Sequence, residues 1–171
     1  MPVLHGYCPY FVPFLFIDHM PLRIGEIIPD FKAFNQFGTE ISSSDLKGKN
    51  TVLFFYPKDD TYMCTKEACS FRDANDEFLR HEIQVFGISA DSISQHANFA
   101  QKHGLNYMLL SDEKNHIRNL FGVPRGLMGL LPGRVTYCFD EQGILLSLIE
   151  ASLSAEYHVQ EALKAYKITK S

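Results

Sequence analysis

Residues 52–73 constrain the fold of this chain more than any other stretch. They read VLFFYPKDDTYMCTKEACSFRD and open on a run of apolar and aromatic residues that ends at Pro57. Aromatic and β-branched side chains suit a buried strand, and proline cannot donate a hydrogen bond within a central ladder. A polar loop follows, and from Met63 to about His81 apolar residues recur at helical spacing. The stretch therefore predicts a buried strand, a short loop and an amphipathic helix.

Cys64 lies in the first turn of this predicted helix, where a thiol is chemically activated. The first N–H groups of a helix have no intrahelical acceptor, and the aligned peptide dipoles leave partial positive charge there. Both effects favour the thiolate, which is the nucleophilic form of cysteine. Thr61 can cap the helix or turn its hydroxyl toward the sulfur, while Pro57 and the aromatic strand exclude water. A second cysteine, Cys69, follows on the same helix.

Cys64 and Cys69 cannot form a disulfide while both lie in an intact helix. Residues five apart rise about 7.5 Å and differ by about 140°, so their Cα atoms are roughly 8.7 Å apart. A disulfide rarely tolerates more than about 7 Å between Cα atoms. We therefore expect one continuous helix through both cysteines in the reduced protein, and unwinding of its first turns if the two become bonded.

The rest of the chain predicts strands that alternate with helices. A hairpin is expected around Gly38, and a second buried strand over residues 83–89. A helix capped by Ser92 and closed by Gly104 follows. The remainder predicts a short strand, a short helix, an irregular glycine-rich loop, a hairpin and a final helix, over residues 107–110, 113–121, 123–133, 134–149 and 155–167. This alternation is typical of an α/β fold with a mixed sheet.

Composition and charge describe one soluble globular domain. The 171 residues are 46% hydrophobic and carry a formal net charge of −4, which allows a substantial core and argues against a nucleic-acid partner. The four cysteines lack the dense, even spacing of a secreted disulfide scaffold, and they also lack the paired CxxC spacing of a zinc site. No histidine lies beside the cysteine motif, so a Cys–His hydrolase has no support. Cys138 is interpreted as a core residue.

Residues 1–19 are interpreted as an extension outside the conserved domain, which would span residues 20–171. Their apolar segment is interrupted by Pro13 and is too short to cross a bilayer. No cluster of Lys or Arg precedes it, and the segment contains neither Arg nor Ser, so it is a poor signal or transit peptide. Two interpretations stay open: a start upstream of the domain, and a real extension that packs its aromatic residues on the surface. Cys8 within it is interpreted as an incidental thiol.

The pattern Pro57-x-x-x-Thr61-x-x-Cys64 resembles the active-site motif of the peroxiredoxins. The longer string, with TKEAC and then SFRD, is similar to the Q-type members, also called bacterioferritin comigratory proteins, of the alkyl hydroperoxide reductase/thiol-specific antioxidant family. The resemblance covers residues 25–168. It includes GRVTYCFD, where Arg134 precedes x-Thr-aromatic as in the family.

The resemblance implies a thioredoxin-like fold, with a mixed central β-sheet flanked by helices on both faces. It implies a thiol-dependent peroxidase that reduces hydrogen peroxide and organic hydroperoxides without a metal, haem, flavin or other cofactor. Cys64 would be the peroxidatic residue and become a sulfenic acid. Cys69 would resolve it as an intramolecular disulfide, which thioredoxin or glutaredoxin would reduce. Thr61, Arg134 and Pro57 complete the implied catalytic set.

The same resemblance favours a monomer without nucleic-acid or membrane partners. We expect a bacterial cytoplasmic location, with a plastid as the second choice. One departure from the family is Tyr62-Met63, where Pro-Gly is common. We expect it to alter loop flexibility or pocket shape and to leave the chemistry intact.

Some assignments have competitors. A peroxide sensor or a holdase could use the same disulfide as a switch, and turnover with a dithiol donor separates these from a peroxidase.

Arg125 and, more remotely, Arg72 compete with Arg134 for the role of the fixed cation beside the sulfur. Glu67 would oppose a thiolate if it faced the sulfur, and we interpret it as a solvated surface charge.

Overall fold

The computed structural model describes residues 21–126, 131–150 and 154–168, with the backbone alone for residues 125–126 and 131–132. Within these residues the helices are α1 (Tyr62–Arg80), α2 (Ile93–His103), α3 (His116–Leu120) and α4 (Ala155–Ala165). The strands are β1 (Lys32–Asn35), β2 (Glu40–Ser42), β3 (Asn50–Phe55), β4 (Ile83–Ser89), β5 (Met108–Ser111), β6 (Arg125–Gly126), β7 (Leu131–Pro132), β8 (Val135–Phe139) and β9 (Leu145–Glu150). The interpretations of residues 1–19 and of Cys8 lie outside the described residues.

The long strands form a mixed sheet in the order β2-β1-β5-β4-β3-β8-β9. β3 lies near the centre, parallel to β4 and antiparallel to β8, with Phe55 opposite both Ile88 and Val135. The two-residue strands β6 and β7 pair separately. The predicted α/β fold with a mixed central sheet is confirmed.

The sheet buries a core on each face because β3 is apolar along most of its length, as strands covered on both faces are. Val52, Phe54 and the following Tyr56 pack with residues of α1, α2 and α4. Leu53 and Phe55 point the other way and pack with α3 and the segment that leads into β1. Helices therefore cover both faces, as the sequence resemblance implies.

Phe54 fixes the position of α1 on the sheet. Its ring stacks on that of Phe71 with centroids 4.4 Å apart. Gly87, on the neighbouring strand β4, leaves the space for this arrangement, because a Cβ there would lie 2.7 Å from Phe54 Cζ and from Leu109 Cδ2. A larger residue at this position would displace the aromatic ring on which α1 rests.

The helix boundaries largely follow the sequence signals. α1 runs without interruption through both cysteines, as expected for the reduced protein. α2 begins at a capping box on Ser92 and ends at Gly104, whose φ of 59° is the left-handed conformation that glycine adopts at helix ends. The hairpin between β8 and β9 is also confirmed.

Two C-terminal predictions need correction. α3 is shorter than the predicted 113–121, because the Asp112 carboxylate accepts the backbone N–H groups of Ile117 and Arg118 and so sets where the helix begins. The loop 123–133, predicted to be irregular, contains the β6–β7 pair. Its residues 127–130 lie outside the described part of the chain.

Candidate active site

A short loop joins the central strand β3 to the start of α1. Thr61 is the last residue before the helix and has extended backbone angles. The first helical hydrogen bond runs from Thr65 N to Thr61 O at 2.8 Å. Cys64 is the third residue of the helix, so its N–H precedes that bond and has no intrahelical acceptor. The predicted placement of Cys64 in the first turn is confirmed.

Thr61 occupies the capping position, but its side chain makes no capping hydrogen bond. Its hydroxyl instead donates to the carbonyl of Lys58 at 3.1 Å. This bond uses the hydroxyl proton and orients the oxygen within the loop that follows half-buried Pro57. The structure thus places Thr61 and Pro57 in the loop next to Cys64, and their catalytic roles stay predictions.

A buried carboxylate, Asp59, anchors this loop to the rest of the domain. Its backbone N–H donates to Asp91 Oδ2 at 2.8 Å. Its carboxylate accepts the Tyr56 hydroxyl at 2.7 Å and contacts His96 Nδ1 on α2 at 2.7 Å. Burial first, and then the charge of Asp59, raise the pKa of Tyr56 well above its ordinary value. The hydroxyl is therefore a fixed donor that helps to hold the loop.

Cys64 is buried, with 1% of its surface exposed. Nη2 of Arg134, at the residue before β8, lies 3.4 Å from its Sγ. Arg134 is itself 9% exposed. Burial lowers the pKa of its guanidinium, but Glu67 and Cys64 outweigh that effect and raise it. A permanently charged fork thus lies beside the sulfur, at the position where the sequence resemblance puts it.

Glu67 is not a solvated surface charge, and that prediction was wrong. Its side chain is fully buried and forms an ion pair with Nη1 of Arg134. The reason is helical spacing: residues three apart share a face, so Glu67 faces the interior with Cys64. Burial raises the pKa of its carboxyl to about 7, although Arg134 acts in the opposite direction. The signal that could have found it is the i+3 spacing from a buried cysteine.

Arg118, on α3, is a second buried cation that sequence reasoning missed. It donates to the carbonyls of Tyr56 and Gly133, each at 2.8 Å, and its guanidinium lies 5.7 Å from the Phe55 ring centroid. It therefore joins the end of β3 to the residue before Arg134. Burial lowers its pKa, while Asp112, Tyr137 and Cys64 act to raise it.

The other cysteines differ in exposure. Cys69 is a half-buried free thiol on α1. Cys138, on β8, is fully buried in the core that also contains Cys64, and burial raises its pKa well above the ordinary value. The core-packing interpretation of Cys138 is confirmed.

The structure describes the side chain of one of the two competing arginines. Arg72 donates to the His103 carbonyl at 2.7 Å and pairs with Asp73, which directs it away from Cys64. The side chain of Arg125 lies outside the described residues. Among the side chains that the structure describes, Arg134 is the one that donates to the Cys64 sulfur.

No group of three or more His, Cys, Asp or Glu side chains in the described part of the chain could hold a metal ion. Within the same residues, no helix has the length and apolarity needed to cross a membrane.

The architecture and the buried cysteine at a helix start define a thiol protein of the thioredoxin-like fold. The chain matches the model of the AhpC/TSA family over residues 24–147. A solved structure, peroxidoxin BcpB from Mycobacterium tuberculosis, is similar with a TM-score of 0.78 and 37% identity, over 88% of this chain and 99% of that one. The chain therefore belongs to the AhpC/TSA family, and the predicted thioredoxin-like fold is confirmed.

Curated relatives of the chain include Q-type peroxiredoxins, which agrees with the sequence resemblance. Chloroplastic peroxiredoxin Q of Gentiana triflora is 44% identical over 140 residues, which are 82% of this chain and 64% of the relative. The chain thus spans just under two thirds of that protein's length. Chloroplastic peroxiredoxin Q of Sedum lineare is 44% identical over 140 residues, 82% of this chain and 75% of the relative. Because these relatives are chloroplast proteins, the expected bacterial cytoplasmic location is wrong.

Proposed function

We propose that this chain is a thiol-dependent peroxidase that reduces hydrogen peroxide and organic hydroperoxides. The observation that carries the proposal is the 3.4 Å contact between Arg134 Nη2 and the sulfur of Cys64, which is buried at the start of α1. A thiolate in that place is stabilised by the helix terminus and by a permanent cation, and it is the nucleophile that peroxide chemistry requires.

In the proposed reaction the Cys64 thiolate attacks the terminal oxygen of the peroxide. The S–O bond forms as the O–O bond breaks, so Cys64–S⁻ and RO–OH give Cys64–SOH and RO⁻, which takes up a proton to become ROH. Sulfur is oxidised and the peroxide oxygen is reduced, and no cofactor carries electrons.

The surrounding groups position the peroxide and stabilise the departing oxygen. The free N–H groups at the start of α1 and the Arg134 guanidinium supply donors where negative charge develops. The Thr61 oxygen, whose proton is given to the Lys58 carbonyl, is available to accept the peroxide O–H. Pro57 limits the access of water to the loop. Each lost donor is expected to cost about 10²–10³-fold in rate.

We propose that Cys69 resolves the sulfenic acid. Its thiolate attacks the Cys64 sulfur, the S–O bond breaks, and an intramolecular disulfide forms as the departing hydroxide takes up a proton and leaves as water. Because the intact helix holds the two Cα atoms roughly 8.7 Å apart, the first turns of α1 must unwind. A dithiol donor, thioredoxin or glutaredoxin, then reduces the disulfide by exchange.

The proposed setting is a plastid and the proposed assembly is a monomer. The Gentiana triflora and Sedum lineare relatives, which are chloroplast proteins, support the setting. A fluorescent fusion of the full-length gene product locates the protein, and light scattering of the purified chain gives its mass. Fluorescence confined to the cytosol would contradict the proposed setting, and a dimer mass would contradict the monomer.

The proposed function is tested by peroxide-dependent oxidation of NADPH in the presence of thioredoxin and its reductase. The chain should support continuous turnover, and the Cys64→Ser variant should not. Cys138→Ser, which also removes a buried thiol, should retain activity. A single turnover of Cys64 oxidation with no turnover by any dithiol donor would instead favour a peroxide sensor or a holdase.

A further inference from the structure

One buried cation faces two acidic groups at the proposed active site. Nη2 of Arg134 lies 3.4 Å from Cys64 Sγ, and Nη1 pairs with Glu67 Oε2. Glu67 is fully buried and Cys64 is 1% exposed. The second oxygen of Glu67, Oε1, has no hydrogen-bond partner among the described residues.

The groups around Glu67 come from several elements. Cys64 lies on its own helix, Arg134 and Thr136 come from the β8 side, and His158 comes from α4. Nδ1 of His158 lies 3.7 Å from Glu67 Oε1 and 2.8 Å from the Thr136 hydroxyl.

Tyr107, which precedes β5, also acts electrostatically on Glu67. Burial first, and then Glu67, raise the pKa of Tyr107 well above its ordinary value, so it is neutral near pH 7. Arg118 acts on Cys64 from α3. None of these contacts gives Glu67 Oε1 the hydrogen bond that a buried carboxylate oxygen requires.

Among the described residues, Arg134 is the cation that contacts both Cys64 and Glu67. If Cys64 and Glu67 were both ionised, Arg134 would face two negative charges in an interior that excludes water. Buried charges are stable only when they are paired and hydrogen-bonded, and two acids that share a site do not both ionise readily. An unbonded Oε1 is the oxygen expected to hold a proton.

We propose that Cys64 and Glu67 share one proton beside Arg134, so that the proton leaving the thiol is held on the Glu67 carboxyl. The transfer converts Cys64–SH and Glu67–COO⁻ into Cys64–S⁻ and Glu67–COOH, and the charge of the buried group does not change. The raised pKa of Glu67, about 7, agrees with a carboxyl that keeps its proton near neutrality. Apparent titrations then belong to the pair.

The shared proton has a use in the reaction, and this step rests on the proposed peroxidase function. Cys64–S⁻, Glu67–COOH and RO–OH give Cys64–SOH, ROH and Glu67–COO⁻, with atoms and charge balanced. The departing alkoxide receives the proton that the thiol gave up. Oxidation leaves Glu67 as the anion that pairs with Arg134.

Infrared spectroscopy of the reduced full-length chain tests the shared proton without any peroxide. A carbonyl stretch of a buried protonated carboxyl should appear near neutral pH and should be absent in Glu67→Gln, which assigns it. Cys64→Ser removes the competing anion, so the pH midpoint of this band should fall by about one unit or more. Cys138→Ser, the matched control, removes a thiol that the structure does not place beside Arg134 and should leave the midpoint unchanged.

A reduced protein without this band at neutral pH would overturn the proposal. So would a band whose midpoint is the same in the wild type and in Cys64→Ser. If the band midpoint falls in Cys64→Ser but the chain fails the NADPH assay, the shared proton is supported and the peroxidase function is rejected. Failure of the shared proton and failure of the proposed function are therefore distinguishable.

Discussion

The two halves of α1 are held in different ways. The first half, residues 62–67, is held at its buried face by the Arg134 contacts to Cys64 and Glu67. On its exposed side Lys66 pairs with Glu156, and such surface pairs contribute little to stability. Part of its interior attachment therefore depends on the charge state of Cys64.

The second half, residues 68–80, is bonded to the segment 103–107 by hydrogen bonds between side chains and backbone carbonyls. The Tyr107 hydroxyl donates to the Ala68 carbonyl at 2.8 Å, and the Asn75 amide donates to the Asn106 carbonyl at 3.0 Å. Arg72 adds its bond to the same segment. These contacts do not involve Cys64.

The boundary between the two halves lies between the two cysteines. In the proposed reaction, oxidation to a sulfenic acid would remove the contact between Arg134 and the Cys64 thiolate, leave the Arg134–Glu67 ion pair as the interior attachment of the first half, and leave the second half unchanged. Unwinding up to about Ala68 would let Cys64 move while Cys69 stays in a held helix. This distribution of contacts would favour the proposed disulfide, because the residues that must move are held by fewer bonds than those that stay.

The largest expected effect separates the roles of the two thiols. Cys64→Ser should abolish the single-turnover reaction with peroxide, because an alcohol is a far weaker nucleophile than a thiolate. Cys69→Ser should react once, form a trappable sulfenic acid and fail to turn over with thioredoxin. Stopped-flow kinetics and mass spectrometry measure both. Equal single-turnover rates in the wild type and in Cys64→Ser would remove Cys64 from the reaction.

Arg134→Lys weakens the attachment of the first half and should slow the peroxide reaction by about 10²–10³-fold. Lysine keeps the charge but loses the planar fork that reaches Cys64 and Glu67 together. The rate of single turnover measures this, and thermal unfolding checks that the variant is folded. If Arg134→Lys reacts with peroxide at the wild-type rate and Arg125→Ala reacts far more slowly, the role belongs to Arg125 in the loop.

Glu67→Gln should alter how stability depends on pH. The raised pKa, from 4.5 to about 7, means that the folded protein binds this proton more tightly than the unfolded chain. The resulting stabilisation is complete below about pH 4.5 and is lost as pH rises through about 7. Over that window the wild type should lose up to roughly 3 kcal/mol relative to Glu67→Gln, since one pKa unit is about 1.4 kcal/mol.

Urea unfolding at several pH values measures this difference. Glu156→Gln is the control: its own backbone N–H and Lys66 lower the pKa of the exposed Glu156 carboxyl, so this variant should not reproduce the effect. Parallel pH curves for the wild type and Glu67→Gln would mean that Glu67 is ionised throughout.

Tyr107→Phe gives the smallest effect and acts on the second half of α1. Losing its hydroxyl bond to Ala68 should cost about 1 kcal/mol and should let unwinding in the oxidised protein extend toward Asn75. Tyr166→Phe is the matched control, because the Tyr166 hydroxyl donates to Thr51 and Phe139 carbonyls away from α1. Amide hydrogen exchange across α1 measures the extent of unwinding. Equal changes in the two variants would mean that the Tyr107 hydroxyl has no specific effect on α1.

Local sequence signals predicted the elements of this molecule better than its buried polar contacts. The apolar run ending at Pro57 and the helical spacing after it gave the strand, the loop and α1, because these patterns depend on neighbours in sequence. Arg134 came from a family motif, and the structure places it beside Cys64. The roles of Thr61 and Pro57 stay predictions, although their positions follow from the same motif.

What the sequence did not predict depends on contacts between distant segments. Glu67 is buried because Arg134 and α4 cover its face of α1. Its i+3 spacing from Cys64 indicates this only once Cys64 is known to be buried. Asp59 and His96 are 37 positions apart, and Arg118 bonds the carbonyl of Tyr56, 62 positions away. Side chains that meet only through tertiary packing carry no periodic signal.

Amide hydrogen exchange across α1 tests the central claim, that peroxide oxidises Cys64 and that the first half of the helix then unwinds to reach Cys69. The reduced chain and the chain treated with one equivalent of peroxide are compared, with the Cys64–Cys69 bond confirmed by peptide mapping. Protection should fall over residues 62–67, persist beyond Ala68 and return with a dithiol. Unchanged protection over residues 62–67 in the confirmed disulfide would contradict the account.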